Sequence, residues 1–318
     1  MSAKPLRIGT RASALALWQA RYVAALVGAQ AGSPPVELVP VQTAGDVQSE
    51  VPLWKVGGRA FFTREIDRSL LEGAADVAVH SLKDLPTQIE PGLNLVATLA
   101  RADARDVLVS RAGVPLAQLP PGARIGTSSL RRRAFLARLR PDAVLVELRG
   151  NVPTRIERLQ RGDYDAIVLA AAGIARLGLE RHVTEYLDPD TFPPAVAQGV
   201  IGVCARAGDG ATSRWLTALD DLDARLTSSA ERALLRRLEG GCQVPLGALA
   251  RVHEGTLTLM ARVCAPDGSR ELCARADGPA GAQDDARALG RRVASELLAR
   301  GAGELIAQAR SSHAVEEP

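Results

Sequence analysis

The stretch Arg7-Ile8-Gly9-Thr10 recurs far downstream as Arg124-Ile125-Gly126-Thr127. Each copy reads as a short apolar strand running into a small-residue loop, with Ser13 or Ser128-Ser129, and then into an amphipathic helix, expected from Ala14 to Ala29 and from Leu130 to Arg140. The echoes keep their order. Val36-Glu37-Leu38 answers to Val146-Glu147-Leu148, and Thr63-Arg64 with Ile66-Asp67-Arg68 answers to Thr154-Arg155-Ile156-Glu157-Arg158. Gly73-Ala74-Ala75-Asp76 leads into an expected strand from Val77 to Val79, as Gly162-Asp163-Tyr164-Asp165 leads into one from Ala166 to Leu169. Repetition of strand, loop and helix in one order means a duplicated unit, hence two related α/β lobes. Alternating strands and helices predict mainly parallel sheets, which bind ligands at the carboxyl ends of their strands. Thr10, Ser81, Thr127 and Arg149 fall at those ends, and the expected site is a cleft between the lobes. Periplasmic-binding-protein-like solute receptors share this layout.

From about Asp221 the pattern changes. A helix is expected from Ser228 to Leu238, then strands near Leu246 to Val252, Thr256 to Ala265 and Arg270 to Ala276, and a last helix from about Asp284 to Arg300. His253-Glu254-Gly255 and Pro266-Asp267-Gly268-Ser269 are hairpin signals, so this is an α+β domain with a three-stranded antiparallel sheet. Arg101 to Asp106 and Pro193 to Val200 are candidate crossings between the lobes. The expected domains are 1–100 plus 200–219, 101–199, and 220–318. Ser311 to Pro318 reads as a loose tail.

A chain of 318 residues, 47% hydrophobic and 24% charged, is long enough for several cores and too apolar to be largely disordered. The four cysteines, Cys204, Cys242, Cys264 and Cys273, have neither zinc-site spacing nor the density of a secreted disulfide scaffold, which points to a reducing cytoplasm. Gln19 and Arg21 interrupt the only early apolar run, so no export signal is expected. The longest wholly apolar run, Ala166 to Ala175, is about half of the roughly 20 residues that a membrane span needs. A net charge of +3 is mild, so anion binding must come from local arginine clusters. With 3% aromatic residues no stacking platform accompanies those arginines, which argues against nucleic acid. His182 and His253 have no ligand-like neighbours, and no metal site is expected.

Three segments carry chemistry. In Leu238-Glu239-Gly240-Gly241-Cys242-Gln243-Val244-Pro245, a helix ends in glycines and hands a cysteine to a proline-limited loop. Cys242 is either a buried cysteine behind a helix cap or a displayed thiol, and the partial negative charge at a helix C-terminus raises a thiol pKa. A thiol there suits a single alkylation, as a permanent anchor, better than repeated turnover. Val79-His80-Ser81-Leu82-Lys83-Asp84 ends a strand, and Lys83-Asp84 is either a solvated loop pair or a catalytic one. Thr127-Ser128-Ser129-Leu130-Arg131-Arg132-Arg133, with Leu148-Arg149-Gly150-Asn151 and Thr154-Arg155, places backbone N–H groups and guanidiniums where carboxylates or phosphates would bind.

Together with Gly9-Thr10-Arg11-Ala12-Ser13, these segments in this order resemble the hydroxymethylbilane synthase (porphobilinogen deaminase) family over almost the whole chain. One stretch departs from the family pattern: Gly57-Gly58-Arg59-Ala60-Phe61-Phe62 stands where many relatives read Gly-Gly-Lys-Gly-Leu-Phe. The charge is kept and a flexible glycine is lost, which bears on the dynamics of that loop. The resemblance implies a transferase of porphyrin and heme biosynthesis. Four porphobilinogen units are condensed with loss of ammonia onto a dipyrromethane cofactor, covalently attached through Cys242, and the linear tetrapyrrole is released by hydrolysis. It implies Asp84 and Lys83 as catalytic residues. Lys83, Asp84, Ser128, Ser129, Arg131, Arg132 and Arg155 would contact the cofactor, and Arg11, Ser13, Gln19, Arg149, Arg155, Arg176 and Gln198 the substrate. No metal is implied. The expected protein is a cytoplasmic monomer that passes its product to uroporphyrinogen-III synthase. The rival reading is a solute-binding protein, because fold alone does not decide function.

Overall fold

A computed structural model of the chain describes residues 4–43, 63–238 and 244–314. Gly57 to Phe62 and Cys242, singled out above, lie outside the described residues. Those described fall into two compact units.

The first unit holds residues 4–43, 63–102 and 199–225. Its five-stranded sheet is built on β1 (Leu6–Arg11), parallel to β2 (Val36–Val41) and to β3 (Val77–Ser81). The antiparallel strand β10 (Ile201–Arg206) then lies between β3 and β4 (Leu93–Thr98), giving the order β2-β1-β3-β10-β4. Helix Ala14–Gly28 buries Ala20, Val23 and Val27 against Ile8, Val77 and Val79.

The second unit holds residues 103–198 and 226–314. Its larger sheet has the order β7-β6-β8-β5-β9. β6 (Arg124–Gly126) is parallel to β7 (Val144–Val146) and β8 (Ala166–Ala170), whereas β5 (Asp106–Ser110) is antiparallel to β8 and to β9 (Glu185–Tyr186). A separate antiparallel sheet joins β11 (Leu246–His253), β12 (Thr256–Cys264) and β13 (Glu271–Pro279), with helix Gln283–Ala299 packed on β13.

The repeat has a physical content. In β1 the backbone N–H of Arg7 donates to Asp76 Oδ2 at 3.1 Å, and Asp76 N–H returns a bond to Arg7 O at 2.9 Å. Arg124 and Asp165 make the same pair of bonds, both at 2.9 Å. The Asp that ends each Gly-to-Asp echo therefore clamps the start of the strand carrying the other echo. The glycines of the two copies also share a purpose. A Cβ at Gly9 would stand 3.2 Å from Ala75 Cβ, and one at Gly126 would stand 2.8 Å from the Tyr164 ring. Ser13 accepts from Ala16 N–H and Ser129 from Arg132 N–H, both at 3.4 Å, so each following helix has a serine N-cap.

Three sequence expectations are corrected. The lobes' sheets are mixed rather than mainly parallel, because β10 and β5 enter them antiparallel after long excursions of the chain that local patterning does not encode. The helix expected from Ser228 begins at Leu222, where Asp221 Oδ1 accepts from Ala224 N–H at 2.8 Å. Ser311, assigned to a loose tail, belongs to helix Ala302–Ala314, whose Leu305, Ile306 and Ala309 are buried.

Candidate active site

In the first unit the strand ends converge on a small cavity of about 60 Å³, lined among others by Arg11, Ser13, Gln19, His80, Ser81 and Asp84. Arg11 ends β1, Ser13 caps the next helix, Gln19 faces back from its second turn, and Asp84 closes the short 3-10 turn Leu82–Asp84 after β3. Four of the expected site residues, Arg11, Ser13, Gln19 and Asp84, thus surround one space. Lys83 belongs to the same turn. Ser81, which precedes that turn, makes no cap bond; its Oγ accepts from Gln19 Nε2 at 2.9 Å. Asp84 is half-buried, so a carboxylate there keeps contact with the cavity without the full desolvation of an interior site.

Behind this cavity lies a buried pair that the sequence reading missed. His80 Nε2 is 3.8 Å from Asp67 Oδ1 and has no hydrogen-bond partner among the described residues. Burial, helped by the positive charge of Arg11, pushes the His80 pKa down to about 4, and burial pushes Asp67 up to about 6. At neutral pH His80 is therefore uncharged and Asp67 largely ionised.

In the second unit, Ser129, Arg131 and Arg132 stand at the start of helix Leu130–Leu139. The two arginines are buried, which free guanidiniums do not tolerate, and each is answered. Arg132 Nη2 donates to Asp106 Oδ1 at 2.7 Å and its Nη1 to Val168 O at 2.7 Å. Arg131 Nη2 forms an ion pair with Asp106 Oδ2 at 2.8 Å, and its Nη1 donates to Pro193 O at 2.6 Å. Gln198 Nε2 donates to the same Asp106 Oδ1 at 2.9 Å and to Ala104 O at 2.8 Å. Burial alone would raise the Asp106 pKa, but Arg131 and Arg132 hold it well below the usual carboxylate range. Burial likewise lowers the Arg131 pKa against the pull of Asp106.

The other expected residues hold separate places. Ser128 Oγ donates to Leu148 O. Arg155 Nε donates to Gly150 O at 2.7 Å, across a turn where Gly150 has φ of +105°. Arg149 precedes that turn, and burial lowers its pKa. Arg176 ends helix Ala171–Arg176. Asp106 escaped the sequence reading because it looked like part of a connecting segment; the signal available was the need of a buried Arg-Arg pair for a carboxylate.

The chemistry of this arginine cluster suits an organic polyanion. Two guanidiniums share one carboxylate, so the cluster keeps one net positive charge, and Nε of both arginines is buried without a hydrogen-bond partner among the described residues. Among the described residues no group of side chains could hold a metal ion.

Two sequence-family models match the chain: "Porphobilinogen deaminase, dipyromethane cofactor binding domain" over residues 6–214, and "Porphobilinogen deaminase, C-terminal domain" over residues 225–299. The chain belongs to the porphobilinogen deaminase family. The porphobilinogen deaminase of Syntrophotalea carbinolica is 48% identical over 307 residues, covering 96% of each chain. Among solved structures, the methionine-binding protein MetQ is similar over 72% of this chain and 93% of its own, at 12% identity and a TM-score of 0.44. The periplasmic VFT2 domain of Bordetella pertussis BvgS is similar over 67% and 85%, at 17% identity and 0.39. Porphobilinogen deaminases are transferases of tetrapyrrole biosynthesis, and the family's cofactor is a dipyrromethane. The unmet donors of Arg131 and Arg132 fit the carboxylates of such a group. No described helix is long and apolar enough to cross a membrane.

Proposed function

We propose that this chain is a hydroxymethylbilane synthase that joins four porphobilinogen units and releases a linear tetrapyrrole, with Asp84 as its reacting carboxylate. The observation that carries this assignment of roles is the convergence of Arg11, Ser13, Gln19 and Asp84 on one cavity in a chain of this family. As ammonia leaves porphobilinogen, positive charge develops on the pyrrole, and a fixed carboxylate stabilises it better than mobile water does. Asp84 then accepts the proton lost from the pyrrole α-carbon at which the new bond forms. Lys83 offers an ammonium to substrate carboxylates.

When bound through a thioether to Cys242, the dipyrromethane supplies the free α-carbon from which the chain grows. Lys83 and Asp84 contact it, with Arg131, Arg132, Arg155, Ser128 and Ser129 receiving its carboxylates. Arg11, Ser13, Gln19, Arg149, Arg155 and Arg176 receive the acetate and propionate of the substrate, because every added pyrrole brings two further negative charges; Gln198, expected among them, is buried with its amide N–H groups spent on Asp106 and Ala104. The three sheets serve as cores of three domains, 1–100 plus 200–219, 101–199, and 220–318, the last carrying Cys242. The protein acts as a cytoplasmic monomer and hands its product to uroporphyrinogen-III synthase.

Intact mass tests this reading. Protein from cells supplied with porphobilinogen is expected to exceed its sequence mass by two linked pyrrole units, and Cys242→Ser to lack the increment. An unmodified wild-type mass overturns the proposal.

A further inference from the structure

Asp106 has no part in the roles above, yet it is a fully enclosed charge of the second unit. Its side chain has no exposure, and both oxygens are committed, one to Arg132 and Gln198 and the other to Arg131. The charges make its purpose legible. Without it, two guanidiniums from adjacent residues would lie buried side by side with like charge and only carbonyl oxygens for company. With it, each Nη2 is tied to a different oxygen of one rigid carboxylate. Nε of each is buried and has no hydrogen-bond partner among the described residues.

The carboxylate is itself held. Gln198 reaches it from a loop in which Ala197 adopts φ of +59°, a backbone state that L residues avoid. That strain is sustained by Glu231, a fully buried residue of helix Leu222–Arg237. Glu231 Oε2 accepts from Ala197 N–H at 2.6 Å and Oε1 from Ala250 N–H at 2.7 Å. A continuous line of bonds therefore runs from β11 through Glu231, Ala197, Gln198 and Asp106 to the two guanidiniums.

We propose that Asp106 is a positioning residue for the known reaction: it fixes Arg131 and Arg132 in one orientation and reduces their combined charge from two to one, so that they receive the cofactor's carboxylates in a single pose. The inference rests on the reading that this arginine pair faces the dipyrromethane. A cofactor held in one pose presents its reacting carbon at one place, so loss of Asp106 acts on kcat rather than on the affinity for incoming substrate.

The test uses Asp106→Asn and Asp106→Glu in the full-length holoenzyme, with intact mass, a near-ultraviolet dichroism spectrum and steady-state kinetics. Intact mass of the wild type comes first, because an absent dipyrromethane there removes the underlying reading and not Asp106's geometry. Given a loaded wild type, Asp106→Asn is expected to yield a folded protein with a mixture of loaded and unloaded masses. In its loaded fraction kcat falls by about 100-fold, the scale of a 1 Å misplacement, while KM stays within about twofold. Asp106→Glu restores full loading and recovers about tenfold of kcat, because the charge returns one methylene out of place. A merely structural role would lower the melting temperature without splitting kcat from KM. If Asp106→Asn does not fold, the Glu variant decides: full loading with kcat depressed supports the proposal. Wild-type kcat in either folded variant overturns it.

Discussion

Asp84→Asn keeps nearly the volume and hydrogen-bonding reach of the carboxylate but can neither offset a forming cation nor accept a proton. Turnover is expected to fall at least about 1,000-fold with the fold and the loaded mass retained. Asp84→Glu keeps the charge one methylene out of place and should lose about 100-fold. Stalled steps should then appear in its mass spectrum as enzyme masses rising by single pyrrole units, whereas the Asn variant stays at its starting mass. At Asp76 the consequence is one of stability. Burial would raise its pKa, but the bonds from Arg7 and Arg206 bring it down to about 2. A carboxyl whose pKa is depressed by folding stabilises the native state above its unfolded pKa, near 4, and loses that contribution as the pH falls through about 2. Urea titrations should therefore show Asp76→Asn less stable than wild type by about 2 kcal/mol at pH 7, the gap closing between about pH 4 and 2. A gap that is constant with pH would mean that packing, not charge, is responsible. Arg11, Asp84 and the arginines were legible in the sequence because motifs expose them directly. Asp106, Asp67 and Glu231 were not, because a buried carboxylate is recognised only by what surrounds it, and its partners come from distant parts of the chain.

Strand, loop and helix are where the sequence spoke most clearly. Cap residues, glycine and apolar spacing are local, so both copies of the repeat emerge with serine caps at Ser13 and Ser129. The matched glycines permit a graded test. Gly126→Ala drives a methyl to 2.8 Å from the Tyr164 ring and is expected to destabilise by about 1–3 kcal/mol. Gly9→Ala meets Ala75 Cβ at 3.2 Å, a contact that small shifts relieve, and should cost less. Denaturant midpoints in the reverse order would refute this account of the repeat. Strand direction was less legible. Pairing across a sheet depends on where the chain returns, and β10 returns to the first sheet only after the whole run 103–198 has been spent in the other unit.

For the molecule as a whole, the clearest expected response is to its cofactor. A group that binds only the native state stabilises it in proportion to its hold on that state, so loaded protein should melt higher than a cofactor-free preparation. Equal melting temperatures would show that the arginine cluster gains nothing from the group. The same scale bears on synthesis. Strands β5 to β9, between residues 106 and 186, complete their sheet from one uninterrupted length of chain. The sheet that begins at residue 6 cannot close until residues 201–206 exist to slide between β3 and β4. On the ribosome, where chain emerges at about 5–20 residues per second, the N-terminal half thus waits with two open strand edges while a later segment matures first. The two five-stranded sheets therefore close in the reverse of the order in which their first strands are translated, and the nascent chain is most in need of protection just before residue 206 appears.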